Sequence, residues 1–243
     1  MNKNKLISKI NPLFLKGIAH RGLHNNEYTE NGLNAFKNAL DHNVAIELDV
    51  HLTKDNQLIV CHDESLLRTT KKEGIIEDLT LNEIKSNYKL LDGGEVPTLK
   101  EVLSLINEQV PIVIEIKVFR KNYKSVSKAL LLELEDVNDP RNFMIISFDP
   151  RALIYFRKTK FITSLLVGKA HHYVFHFRFL FDSLDLEYTM LEEKAVKRYF
   201  KKHFINVWTI ENLEVFNQVK NNVDTLTFQH LDVKFVQEEL SKR

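Results

Sequence analysis

Eight short runs rich in Ile, Val, Leu and Phe recur along this chain, and most are followed by a stretch with helical periodicity. That alternation constrains the fold more than any other feature. An unbroken apolar run reads as a strand covered on both faces, and parallel strands of that kind need crossover helices to join them. The runs lie at 17–20, 45–51, 112–118, 143–148, 161–167, 184–188, 204–209 and 225–228. Helical segments are expected at 32–41, 99–107, 123–134, 150–159, 192–201, 213–220 and 233–242. Eight strands with interleaved helices predict an α/β chain of the (β/α)8 (TIM) barrel class, whose working side chains gather at the C-terminal strand ends. Between 60 and 99 the rhythm breaks into short strand-like pieces around Gly74 and Gly93-Gly94. A structureless loop of that length is out of place in a compact domain, so roughly 63–98 reads as a small insertion after the second strand. A length of 243 residues fits one barrel domain over 1–243.

The residues with chemistry fall at the ends of those runs. His20-Arg21-Gly22 closes the first, and Glu47-Leu48-Asp49 lies on the second. His62-Asp63 follows another apolar run, and Glu115-Ile116-Lys117 ends the third. Residues i and i+2 on a strand share a face, so Glu47 and Asp49 are neighbours, as are Glu115 and Lys117. Side-by-side acids repel each other and resist burial unless a cation joins them. Three oxygen donors with open positions suit one divalent cation, Mg²⁺ or Ca²⁺. A wetted edge strand would also tolerate these acids, but Val44, Ala45, Ile46, Leu48 and Val50 flank them. His20 and His62 offer a general base and a general acid near neutral pH. The other histidines, His171 and His172 among them, are read as packing or surface residues. Arg21 and Lys117 suit a phosphate clamp, the former through two-point contacts and the latter as a compact charge. Together the residues describe a metal-assisted hydrolase of phosphate esters.

A net charge of +1 gives no hint of nucleic acid, and 44% apolar residues suffice for a sizeable core. The single cysteine, Cys61, rules out an intrachain disulfide and fits a reducing compartment. No leader-like segment and no stretch near the ~20 apolar residues of a membrane span is visible. A cytoplasmic location is therefore expected.

The pieces Ile18-Ala19-His20-Arg21-Gly22, Glu30-Asn31, Glu47-Leu48-Asp49, His62-Asp63, Leu67-Arg68-Thr69-Thr70, Val96-Pro97-Thr98-Leu99, Glu115-Ile116-Lys117 and Val207-Trp208-Thr209 occur in an order that resembles the glycerophosphodiester phosphodiesterase family. The resemblance implies a metal-dependent phosphodiesterase barrel with an insertion after its second strand. It also implies a glycerophosphodiester substrate, cleaved to glycerol 3-phosphate and an alcohol. Either the glycerol hydroxyl beside the phosphate attacks first or water attacks directly; both routes stay open. Two stretches depart from the family pattern. Thr29-Glu30-Asn31-Gly32 stands where Pro-Glu-Asn and then Thr or Ser is usual, and Thr227-Phe228-Gln229-His230 lacks the usual Asp or Asn and Pro. Neither touches the proposed acids and histidines. A lysophospholipase D-like activity and a catalytically silent binding module remain alternatives.

Three further features carry expectations. Glu30 and Asn31 are expected to cap or hold the loop before the first helix. Trp208, the only tryptophan, is expected to wall the substrate pocket or to pack in the core. The aromatic stretch 173–181 reads as core or as an apolar rim that could meet an acyl chain or a membrane surface. The basic N-terminal segment with Leu6, Ile10, Leu13 and Phe14 is expected to plug the barrel bottom, with peripheral lipid contact left open.

Overall fold

The computed structural model describes residues 1–243. Its strands are β1 (Ile18–Ala19), β2 (Ala45–Leu52), β3 (Leu58–Val60), β4 (Ile112–Ile116), β5 (Phe143–Ser147), β6 (Ile162–Val167), β7 (Ser183–Glu187), β8 (Ile205–Ile210) and β9 (Thr225–Phe228). All but β3 pair in parallel, and β1 pairs with both β2 and β9, which closes an eight-stranded barrel. β3 adds to the C-terminal end of β2 in antiparallel register, Val50 opposite Val60. Every residue of β2 is buried, as expected for a strand walled by helices outside and filled side chains inside.

The helices are α1 (Lys3–Ile7), α2 (Leu33–Asp41), α3 (Leu67–Thr70), α4 (Leu81–Asn87), α5 (Leu99–Ile106), α6 (Tyr123–Glu133), α7 (Pro150–Leu153), α8 (Lys194–Phe200), α9 (Leu213–Val219) and α10 (Val233–Ser241). The helix expected at 150–159 is shorter: α7 gives way to a 3-10 turn at Ile154–Phe156. Thr98 caps α5 by accepting from the Glu101 N–H while Glu101 reaches back to the Thr98 N–H, a reciprocal capping box. Residues 61–98 carry α3, a 3-10 turn and α4, tied by short antiparallel bridges such as Ser65 to Ile75 and Lys89 to Glu95. Ile59, Cys61, Leu66, Ile76, Ile84, Tyr88, Leu90 and Val96 form their own small core.

Alternation sorts the barrel residues by face. One cluster gathers Ile18, Ala45, Val113, Met144, Ile162 and Phe204, from the beginnings of the strands, with Leu6, Ile10 and Phe14. The N-terminal segment therefore packs beneath the N-terminal strand ends. The inward positions at the other end include a set of polar groups: Glu47 and Asp49 on β2, Glu115 on β4, Asp185 on β7 and Asn206 on β8. The candidate site lies there.

Candidate active site

Glu47, Asp49 and Glu115 each bring a carboxylate oxygen within 4.8 Å of the others, and all three are buried. β2 and β4 pair with Glu47 beside Val113 and Asp49 beside Glu115, which sets the spacing. Burial raises the pKa of Glu47 well above the ordinary carboxylate value, and the Asp49 and Glu115 charges raise it further. Burial pushes Glu115 up to about 7, with Asp49 adding to the rise and Lys117 opposing it. Asp49 resists the same burial because Lys117, His62 and Arg21 hold it far below its usual range. Lys117 Nζ lies 2.7 Å from Glu115 Oε1 and 3.0 Å from Asp49 Oδ1. Three buried oxygen donors whose charges oppose one another fit a hard divalent cation.

The turn after β1 delivers the other side of the site. Arg21 and Gly22 both have positive φ, 54° and 78°. A side chain at Gly22 would meet Phe36 at 2.9 Å, so this turn needs glycine. The turn aims the Arg21 N–H at Glu47 Oε2, 2.9 Å away, and the Gly22 N–H at the Glu47 carbonyl. The Arg21 side chain reaches Glu30 at 2.8 Å and Asp49 at 3.4 Å. His20 Nε2 stands 4.0 Å from Glu47 Oε2, and burial together with the Arg21 charge lowers the His20 pKa to about 4. His62 Nδ1 pairs with Asp63 Oδ1 at 2.6 Å, and burial lowers its pKa as well.

Two joined cavities open over this group. The inner one, about 100 Å³, is lined by His20, Arg21, Glu47, Asp185, Trp208 and Thr227 among others. The outer one, about 650 Å³, is lined by Phe119, Asp149, Arg151, His171, Tyr173 and Phe177 among others. His62, Glu115, Lys117 and Phe148 belong to both. His20, Arg21, Glu47, His62, Glu115, Lys117 and Trp208 thus line these cavities, while Asp49 is fully buried and meets them through Lys117 and Arg21. Trp208 walls the inner cavity, its ring edge-on to Phe148 with centroids 5.6 Å apart.

Several readings change. Neither Glu30 nor Asn31 caps α2, whose N-cap is Gly32 without a side-chain hydrogen bond. Glu30 instead joins Arg21 to Arg68, and the Asn31 amide donates to Asp49 Oδ2 at 2.9 Å. The aromatic stretch divides. Val174 and Phe175 are core, Tyr173 and Phe177 line the outer cavity, and Phe179 packs against Tyr199 and His203 away from it. His171 is an exposed residue, as read from the sequence, and lines the outer cavity with its ring 5.1 Å from that of Phe148. His51 ties the His62 carbonyl to Glu77. Asp185 gave no sign in the sequence beyond an acid on an apolar run. Burial pushes its carboxyl up to about 7, and Asn206 and Thr227 complete its hydrogen-bonded chain.

The sequence and the fold have known counterparts. A protein from Caldanaerobacter subterraneus subsp. tengcongensis named glycerophosphodiester phosphodiesterase is 40% identical over 144 residues. That match covers 56% of this chain and 59% of the relative, so the chain spans about three fifths of that relative's length. Among solved structures, the glycerophosphodiester phosphodiesterase of Thermotoga maritima superposes with a TM-score of 0.73 at 26% identity, covering 93% of this chain and 97% of that one. An Oleispira antarctica phosphodiesterase in complex with the product sn-glycerol-3-phosphate shares the fold at 22% identity and TM-score 0.75, over 92% of this chain and 96% of that one. The model of the glycerophosphoryl diester phosphodiesterase family matches residues 20–232, from His20 through the last barrel strand, and the chain belongs to that family.

Proposed function

We propose that the protein hydrolyses glycerophosphodiesters to glycerol 3-phosphate and an alcohol, with a divalent cation held by Glu47, Asp49 and Glu115. The observation that carries this reading is the meeting of three buried acids with His20, His62, Arg21 and Lys117 around the small inner cavity, which shares His62, Glu115 and Lys117 with the large one. With all three carboxylates ionised, as metal binding requires, Arg21 and Lys117 leave one net negative charge. A dication reverses that to one positive charge, the complement of a phosphodiester monoanion. When bound, such an ion polarises a phosphoryl oxygen and offsets charge that develops on it.

The chain's own groups do the rest. His20, with its Nε2 facing the inner cavity, takes the proton of the attacking oxygen. That oxygen belongs to glycerol's neighbouring hydroxyl, with water opening the resulting ring, or to water itself. His62, braced by Asp63, returns a proton to the leaving alcohol oxygen as its bond to phosphorus breaks. Lys117 and Arg21 hold the phosphoryl oxygens against the acids. The small inner cavity suits the glycerol end, and the wide outer cavity leaves the alcohol free to vary. The Oleispira antarctica protein, which holds sn-glycerol-3-phosphate, supports this product.

Exposed Tyr173 and Phe177 on the outer wall favour a second reading, in which substrates that keep one acyl chain are also cleaved. Release of glycerol 3-phosphate from glycerophosphocholine and from lysophosphatidylcholine, measured side by side, tests both. No helix is long and apolar enough to cross a membrane. We read residues 1–243 as one barrel domain carrying an insertion, and buried Cys61 supports a reducing, cytoplasmic setting.

A further inference from the structure

β1 and β9 pair with Ala19 beside Phe228, so the next inward positions, His20 and Gln229, stand side by side at the barrel rim. Gln229 Oε1 lies 2.6 Å from His20 Nδ1, and Gln229 Nε2 lies 2.5 Å from Glu211 Oε1. A carboxylate only accepts hydrogen bonds, so Glu211 turns the amide with its NH₂ outward and its oxygen toward His20. The amide oxygen can only accept in its turn, so His20 must carry its proton on Nδ1. The lone pair then sits on Nε2, the nitrogen that faces Glu47 and the inner cavity. An amide turned the other way would donate to Nδ1, force the proton onto Nε2 and remove that lone pair. The Gln229 backbone is itself held, its N–H donating to the Ile210 carbonyl at 3.0 Å.

We propose that Gln229, oriented by Glu211, is a positioning residue that fixes the tautomer of His20. Its catalytic consequence rests on the function proposed above. The two histidines are thereby braced differently. His62 Nδ1 meets the Asp63 carboxylate, which favours a protonated ring, whereas His20 meets a neutral oxygen that selects a tautomer without adding charge. His24 Nε2, 3.4 Å from the same oxygen, completes the surroundings of the amide.

Nitrogen NMR of protein labelled in histidine reads the tautomer directly, with His20 identified by the signals lost in His20→Asn. In wild type at neutral pH, His20 Nδ1 should carry the proton and Nε2 should not. Gln229→Ala should release the ring to the Nε2-protonated form that free histidine prefers, and Gln229→Glu should keep the proton on Nδ1. With glycerophosphocholine and a divalent ion, Gln229→Ala should lower kcat about 10- to 100-fold with KM little changed. Gln229→Glu should recover most of that loss, and the melting temperature of Gln229→Ala should stay near wild type. A His20 tautomer unchanged in Gln229→Ala, or a wild-type kcat in that variant, overturns the proposal. If wild type shows no phosphodiester turnover, the functional reading fails, while the tautomer measurement still decides the role of Gln229.

Discussion

Lys117 Nζ lies 3.0 Å from Asp49 Oδ1, so the acidic cluster already holds an ammonium ion among its carboxylates. A divalent cation must share those oxygens with it. Removing the ammonium should therefore have opposite effects on metal and on substrate. Lys117→Met should bind Mg²⁺ or Ca²⁺ more tightly by calorimetric titration. It should also lose about 10²-fold in kcat/KM, the scale of losing one preorganised charge at the reacting phosphate. A matching loss of metal affinity, in a variant that melts like wild type, would mean that Lys117 only shapes the cluster.

The two histidines should be individually indispensable. His20→Ala and His62→Ala should each lower kcat by about 10²–10⁴, the usual range for a general acid or base. The double variant should fall little further than the worse single one, because both serve the same proton transfers. Near-normal turnover in either single variant removes that residue from the mechanism.

The aromatic stretch should behave as two parts. Tyr173 is 65% exposed and Phe177 is 42% exposed on the outer cavity, while Phe175 is 4% exposed in the core. Replacing Tyr173 and Phe177 with serine should raise KM for a lysolipid, spare glycerophosphocholine, and leave the thermal melt intact. Phe175→Ala should instead cost about 3–5 kcal/mol of stability. Equal effects of the double variant on both substrates would sink the rim assignment.

Asp185 should make the fold pH-dependent. Burial, with the Glu115 charge, pushes its folded pKa from 3.8 up to about 7. The unfolded chain loses this proton first as pH rises. The stability contributed by the neutral carboxyl is therefore complete below the unfolded pKa of 3.8 and is lost as pH passes through about 7. Asp185→Asn keeps an oxygen for the Asn206 amide and removes the titration. Urea unfolding at pH 4.5 and 7.5 should show the variant gaining on wild type at the higher pH, by at most about 3–4 kcal/mol. A gain that does not change with pH contradicts this assignment.

Much of this site was legible because strand geometry is local. The i and i+2 spacing put Glu47 beside Asp49 and Glu115 beside Lys117, and eight apolar runs placed them all at one barrel end. What escaped depends on partners distant in sequence. Gln229 meets His20 across 209 residues, and only the pairing of β1 with β9 brings them together. For Asn31 local rules favour a cap or a loop-holding role, and only the tertiary contact with Asp49 selects between them. The apolar run before His62 is visible in the sequence, but three residues are too short to show a period, and its antiparallel pairing with β2 is not. The aromatic stretch could not be divided from composition, since core and rim share residue types.

The central claim is that the acidic trio works through a divalent ion on a glycerophosphodiester. Release of glycerol 3-phosphate from glycerophosphocholine should be followed in untreated protein, after chelation, and after Mg²⁺ or Ca²⁺ is restored, with Glu47→Gln alongside. The account predicts turnover that disappears on chelation, returns with the ion, and is severely reduced in Glu47→Gln. Turnover that survives chelation, or a Glu47→Gln variant as active as wild type, would contradict it.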